Sequence, residues 1–211
     1  ALARSCPDRT LAGWSKRFRI AVHGVNPRTS RPFIWHLFHA RGGGGACVAG
    51  DGWPTAGEGQ AAGGIKFGSV EVAETRFPLF FARHEFRPDS GGAGTFRGGV
   101  GSILELRAET TEPAKANTAG EGVTYAPYGL LGGKDGLPHR YRLISRKKTR
   151  MLKTKEVGIP VMPGDVFFVE SSGGGGYGDP ARRDPRAIAE DVANGVVTRT
   201  RGPRPKRASS R

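Results

Sequence analysis

Asp89-Ser90-Gly91-Gly92 sets a hydroxyl between a carboxylate and two glycines, the run that surrounds the nucleophile of chymotrypsin-like proteases. That chemistry needs a histidine base held by a third group. None of His23, His36, His39, His84 and His139 lies in the Ala-His-Cys setting those proteases use, so the run is read as backbone structure and His84 as a partly exposed strand residue. Gly173-Gly174-Gly175-Gly176-Tyr177-Gly178-Asp179-Pro180 is a second candidate, because successive backbone N–H groups can converge on an anion. No lysine follows these glycines as it does in a P-loop, and close backbone packing is favoured over a ligand loop. Glu71, Glu74 and Asp51 are candidate acid–base carboxylates. In an extended segment Glu71 and Glu74 point to opposite faces, and pairing with Arg76, Arg83 or Arg87 is the favoured reading. Cys6 and Cys47 form no CxxC or Cys/His spacing, so no metal site is assigned, and Cys47 is expected to be a small buried residue beside Gly42–Gly45.

The elements that must carry these residues are short. Glycine contributes 34 of 211 residues and proline 15, which favours turns and glycine segments over long helices. Extended segments are predicted over 18–23, 33–39, 77–86, 102–107, 139–144 and 165–170. Val166–Val169 follows the turn Pro163-Gly164-Asp165 as a continuous apolar run, which predicts a strand buried on both faces. One helix is predicted over 185–193, with Asp184 as its cap, Pro185 at its first position and Gly195 at its end. Ile188 and Val192 share a face there, and Arg186, Glu190 and Asp191 are expected to face water. The fold class expected is mainly β α+β.

No stretch has the roughly 20 consecutive apolar residues of a membrane-spanning helix, so no membrane partner is expected. The net charge of +14 raises nucleic acid as a partner. Much of the excess sits in Arg146, Lys147, Lys148, Arg150, Lys153 and Lys155 and in a basic tail over 198–211, expected to be disordered, which weakens that reading. Unpaired cysteines fit a reducing cytoplasm.

The order of the motifs carries more than any one of them. Gly42-Gly43-Gly44-Gly45-Ala46 precedes Asp51-Gly52, then Glu71-Val72-Ala73-Glu74 and Pro78-Leu79. Arg87-Pro88-Asp89-Ser90-Gly91-Gly92-Ala93-Gly94-Thr95-Phe96-Arg97-Gly98-Gly99-Val100-Gly101 follows, then Pro127-Tyr128-Gly129-Leu130-Leu131-Gly132-Gly133. Pro163-Gly164-Asp165, Gly173–Pro180, Arg183-Asp184-Pro185 and Asp191-Val192 complete the series. Taken in this order the chain resembles the hydantoinase B/5-oxoprolinase family over residues 1–197, as the C-terminal portion of a longer subunit related to the acetone and acetophenone carboxylases. The arginine-rich sequence after Val197 departs from that pattern, as a frameshift or truncation would produce.

The resemblance implies part of an ATP-dependent cyclic-amide hydrolase, of N-methylhydantoinase or 5-oxoprolinase type, working with a hydantoinase A-type subunit on a small-molecule substrate. Carboxylation of a ketone and basic nucleic-acid binding are the alternatives. It places ATP and Mg on the partner and any catalytic metal in an N-terminal portion beyond this sequence, so the chain alone is expected to be inactive. No catalytic residue is assigned. Asp89, Ser90, Gly91, Gly92, Arg97, Gly174, Gly175, Tyr177 and Asp179 are the substrate-binding candidates. The loops 89–101 and 173–179 are expected to shape or support the substrate cavity, with Arg97 contacting an anion or pairing with Asp89.

Overall fold

Alternating side-chain direction sets the strands. In Phe18–Asn26 (β1), Phe18, Ile20 and Val22 are buried while Arg19, Ala21 and His23 are partly exposed, the period of two that half-buries a strand. Arg31–His36 (β2) buries Phe33 and Trp35 in the same way. The other strands are Leu79–Phe86 (β3), Ser102–Ala108 (β4), Ala114–Gly120 (β5), Arg140–Ser145 (β6), Lys148–Met151 (β7), Lys155–Val161 (β8) and Val166–Glu170 (β9). This computed structural model describes residues 2–56, 68–146 and 148–198; Lys147 and the basic tail from Arg199 onward lie outside the described residues.

The strands form two antiparallel sheets, ordered β2-β1-β5-β8 and β3-β4-β9-β6-β7. One hydrophobic cluster draws on both. It joins Phe18, Ile20, Val22, Trp35, Ala116 and Ile159 of the first sheet to Leu104, Leu106, Tyr141, Leu143, Phe167 and Val169 of the second. The Phe18 and Tyr141 rings meet edge to face, with centroids 3.8 Å apart, an arrangement favoured by the ring quadrupoles. Among the described residues, three short α-helices accompany the sheets: α1 (Leu2–Ser5), α2 (Val70–Arg76) and α3 (Pro185–Ala193). The chain is therefore mainly β with few helices, as its composition predicts.

The registers place the glycine segments together. β1 pairs with β2 from Ala21 onward, so that the end of β2 lies beside the early part of β1 (Ala21 opposite His36). The start of β4 and the end of β9 pair with each other, and Glu170 is also opposite Arg140 at the start of β6. The segments before β1, after β2, before β4, before β6 and after β9 therefore leave the sheets from one end. Arg87 and a pair of serines seal that junction. The buried Arg87 guanidinium donates to the Pro138 and Ser171 carbonyls, and the Ser102 and Ser171 hydroxyls both donate to the Arg41 carbonyl.

Several expectations are corrected. β5, β7 and β8 are strands where none was predicted. β9 buries Phe167 and Val169 but leaves Val166 and Phe168 partly exposed, so only one face is in the core, and the Arg142 guanidinium stacks over the Phe168 ring on the other. Glu71 and Glu74 are on helix α2, not on an extended segment, because Ser69 caps Val70–Arg76 by accepting from the Val72 N–H. Neither takes the expected arginine partner: Glu71 accepts from the Ser69 hydroxyl and Glu74 from the Phe81 N–H. Arg83 and Arg87 pair instead with Glu85 and Glu170. Cys47 is half-buried rather than buried. Helix α3 forms over the predicted residues, with the Asp184 carboxylate accepting from the Arg186 N–H and Gly195 at positive φ after it. Among the described residues no helix is long and apolar enough to cross a membrane.

Candidate functional site

The glycines assemble into a bundle built from backbone alone. Along 173–178 the N–H groups donate in turn to Leu137, Gly99, Gly13, Lys134, Phe96 and Leu130 carbonyls. Residues three apart thus reach the same neighbouring segment: Gly173 and Gly176 bond segment 134–137, Gly174 and Tyr177 bond segment 96–99. In the other direction the Ser172 and Gly175 carbonyls accept from Gly43 and Ala46. A period of three with no internal hydrogen bonds is that of the polyproline II class of extended helix, in which tight lateral packing admits only glycine. A Cβ on Gly174 would run into the Gly44 carbonyl, and one on Gly173 into that of Ser90.

Beside this bundle lies an ion quartet. Arg183 grips Asp51 bidentately at 2.7 Å on each oxygen and donates to Asp191 at 2.6 Å. Arg97 donates from Nε to Asp191 at 3.1 Å, with Asp51 3.7 Å from its Nη2, and its backbone N–H donates to Asp51 at 2.7 Å. Burial would raise the Asp51 carboxyl, but the hydrogen bonds and charge of Arg183, with those of Arg97, outweigh it and hold it below the usual carboxylate range. The Asp51 and Asp191 carboxylates in turn hold the Arg183 guanidinium above its usual value. The quartet ties the Asp51 loop, the 89–101 segment and α3 together. Asp191, expected to face water, is thereby buried: with α3 docked on the bundle, two guanidiniums supply the partners that burial of a carboxylate demands.

A cavity of about 230 Å³ opens on the quartet, lined by Asp89, Arg97, Asp135, Arg183 and Asp191 and by apolar Leu137, Ile188 and Val197. Asp89 holds one wall in place. Its N–H donates to the Val196 carbonyl, and its carboxylate accepts from the Thr198 N–H at 3.0 Å and hydroxyl at 2.6 Å. Residues 196–198 therefore lie as a strap along the rim.

Of the residues expected at the site, Asp89, Gly91 and Arg97 meet at this cavity. Arg97 pairs with Asp191 and Asp51, and the expected pairing with Asp89 is replaced by the Asp89–Thr198 bonds. Ser90 is wholly buried, donates to the Arg87 carbonyl and accepts from the Gly101 N–H. Gly92, Gly174 and Gly175 belong to the bundle, with their N–H groups bonded to carbonyls of Gly174, Gly99 and Gly13. The buried Tyr177 donates its hydroxyl to the Pro7 carbonyl, and Asp179 caps the turn Pro180–Arg182. Asp135, Arg183, Ile188 and Asp191 are lining residues that the sequence reading did not place there. The Arg183-Asp184-Pro185 motif was the available signal. These groups fit a nucleotide phosphate poorly: the N–H groups along 173–178 are bonded to carbonyls, and both guanidiniums pair with Asp51 and Asp191, although the Arg183 Nε is buried without a hydrogen-bond partner. Among the described residues no cluster of three or more His, Cys, Asp or Glu side chains is placed to hold a metal ion.

The sequence pattern of the Hydantoinase B/oxoprolinase family matches residues 1–180. The chain belongs to that family. It is 35% identical over 210 residues to the caprolactamase subunit beta of Pseudomonas jessenii, covering 94% of this chain and 35% of that protein. It is 32% identical over 136 residues to 5-oxoprolinase 1 of Arabidopsis thaliana, covering 64% of this chain and 11% of that protein. The crystal structure of the ATP-dependent caprolactamase from Pseudomonas jessenii superposes with a TM-score of 0.79 at 33% identity over 94% of this chain and 35% of the solved one. Nucleotide-free acetone carboxylase shares the fold, with a TM-score of 0.77 at 21% identity over 94% of this chain and 30% of that one. This hydantoinase B-family chain thus spans about a third of the length of the caprolactamase subunit and less of the oxoprolinase.

Proposed function

We propose that this chain forms part of a hydantoinase B-type subunit of an ATP-dependent cyclic-amide hydrolase, acting in the cytoplasm with a hydantoinase A-type partner that carries ATP and Mg. The observation that carries this reading is the identity of 35%, maintained over 94% of the chain, with a caprolactamase beta subunit. A protein acting on a cyclic amide favours amide-ring opening over ketone carboxylation, for which the likeness is one of fold. N-methylhydantoin and 5-oxoproline are the further cyclic amides to test.

In this reading ATP supplies phosphoryl activation of the amide carbonyl on the partner, and the present residues hold structure around the reacting centre. The glycine bundle fixes the segments 89–101 and 173–179, and the quartet locks α3 against them. Such preorganisation matters because a site loosened by about 1 Å can lose on the order of 100-fold in rate.

The test is a chimera in which residues 1–197 replace the matching part of the Pseudomonas jessenii caprolactamase beta subunit, assayed with its partner. Lactam-dependent ATP hydrolysis is expected from the chimera and none from the free 211-residue chain plus partner. Turnover only with a ketone and bicarbonate would transfer the assignment to the carboxylases. An assembled chimera silent with every substrate would remove the enzymatic reading altogether.

A further inference from the structure

The two sheets differ in the charges their outer faces carry. On β3-β4-β9-β6-β7 the outward carboxylates and guanidiniums pair with each other, Arg83 with Glu85 and Glu105, and Arg142 with Glu170. The Arg107 and Arg142 guanidiniums also cover the Phe80 and Phe168 rings. Charge and aromatic surface are thus answered within that face.

The outer face of β2-β1-β5-β8 is built otherwise. The registers set its side chains in rows across the strands: Ile34, His23, Lys115 and Pro160 in one, His36, Ala21 and Asn117 in the next. Arg19 and Ala119 form a third row, with Lys155 opposite Ala119 and the Arg19 guanidinium over the Phe38 ring at 4.8 Å. Arg19, Lys115 and Lys155 are cations of this face, and among the described residues no carboxylate takes an outward position on its four strands. The one acid in those strands, Glu156, lies opposite the inward Thr118 and pairs with Arg150 of β7. Apolar side chains stand among the cations, with Ile34 65% and Val157 83% exposed. The small Ala21 and Ala119 between them leave the face shallow.

This combination selects its occupant. A second copy of the chain does not fit, because face-to-face packing sets cations against cations. The remainder of the same subunit fits poorly, because permanently buried contacts are depleted of charge at their centre, and here His23 and Lys115 stand side by side on the two central strands. Single-stranded nucleic acid binds on stacking rings, whereas the Phe38 ring is already covered by Arg19 and the exposed Ile34 and Val157 are aliphatic. A protein surface with carboxylates around an apolar centre answers both the charge and the aliphatic side chains.

We propose that the outer face of β2-β1-β5-β8 is a docking surface for an acidic protein, with Ile34 and Val157 as its apolar contacts and Lys115 and Lys155 as its charged ones. The hydantoinase A-type subunit is the protein concerned, an identification that rests on the functional reading above.

The test is assembly of the caprolactamase chimera carrying residues 1–197 with its Pseudomonas jessenii partner subunit, followed by surface plasmon resonance at low and high salt. Lys115→Glu combined with Lys155→Glu is expected to weaken assembly at least about tenfold, since reversal sets like charges against each other, and to flatten its salt dependence. Ile34→Ser is expected to weaken assembly with the salt dependence retained. Arg107→Glu, a reversal on the other sheet, is expected to change neither. Should the double reversal fail to fold, Lys115→Gln with Lys155→Gln reads the same salt dependence. Assembly unchanged in the folded variants overturns the surface and leaves the enzymatic reading to the turnover assay. Assembly lost on reversal, in a chimera silent with every substrate, overturns that reading and leaves the surface. Oligo(dT) binding that the reversal abolishes while assembly is unchanged overturns the proposal in favour of nucleic acid.

Discussion

Arg97 shows how a residue's meaning depends on what folds against it. From the sequence it is a cation in a glycine loop, suited to an anion or to nearby Asp89. In the structure Asp191, 94 positions away, is its hydrogen-bonded partner. No local pattern reports a contact of that span, and Asp191 looked solvent-facing because helical spacing was judged without the bundle beneath it. Arg97→Met leaves Arg183 as the guanidinium serving both Asp191 and Asp51, while the backbone N–H at 97 still donates to Asp51, and removal of one buried partner costs about 3 kcal/mol. Urea denaturation is expected to show that loss, reduced where Asp51 reaches water. If Arg97 also contacts a reacting anion, Arg97→Ala in the chimera lowers turnover beyond what the lost folded fraction explains. Unchanged turnover eliminates that role.

His139 is a second residue whose behaviour its neighbours decide. Burial lowers its pKa from 6.5 to about 4, and the Arg87 charge acts in the same direction against the Lys16 carbonyl, which accepts from Nε2. The neutral ring accepts the Ser172 N–H on Nδ1. The folded pKa is the lower one, so its contribution is complete above pH 6.5 and is lost as pH falls toward 4, where the unfolded chain alone takes up the proton. That difference corresponds to about 3 kcal/mol. Imidazole NMR shifts at pH 5 are expected to remain those of a neutral ring, and a titration near 6.5 would contradict the burial argument.

At the scale of elements, legibility followed side-chain content. Strands with inward β-branched or aromatic residues were readable, as in Phe18–Val22 and Val166–Val169. β5 was not, because its buried positions are Ala114, Ala116 and Thr118, small residues whose burial depends on the opposite sheet. β7 and β8 are sheet edges, where charged residues, Gly158 and Pro160 are tolerated because one side makes no ladder bonds. α2 was missed because a seven-residue helix with its Ser69 cap carries too few periods to stand out. The glycine runs were visible as close packing, but their threefold partner sequence has no side-chain signature. Substitution can read it out. Gly174→Ala is expected to cost at least about 3 kcal/mol, since the neighbouring carbonyl must move. Gly50→Ala, with open space around it, is expected to stay within about 0.5 kcal/mol. Equal effects in thermal melts would mean that the bundle is not packed as described.

For the whole molecule, the cluster shared by both sheets and the lattice of backbone bonds at one end lead us to expect that the described residues unfold as one cooperative unit. Family membership was legible because the glycine motifs occur in a set order, spaced by the elements they join. The candidate cavity was less legible, since it forms only where α3, the strap and the 89–97 segment converge from distant positions.

The glycine bundle has a thermal consequence. Unfolding normally raises heat capacity by about 12–15 cal/mol/K per residue, because wetted apolar surface outweighs wetted amide. Here a sizeable share of the buried surface is bare peptide, whose hydration acts in the opposite sense. Calorimetry over a series of melting temperatures is therefore expected to give a smaller increment per residue than that range. The stability curve flattens accordingly, and the protein keeps more of its margin on cooling than a sandwich of the same length filled with side chains.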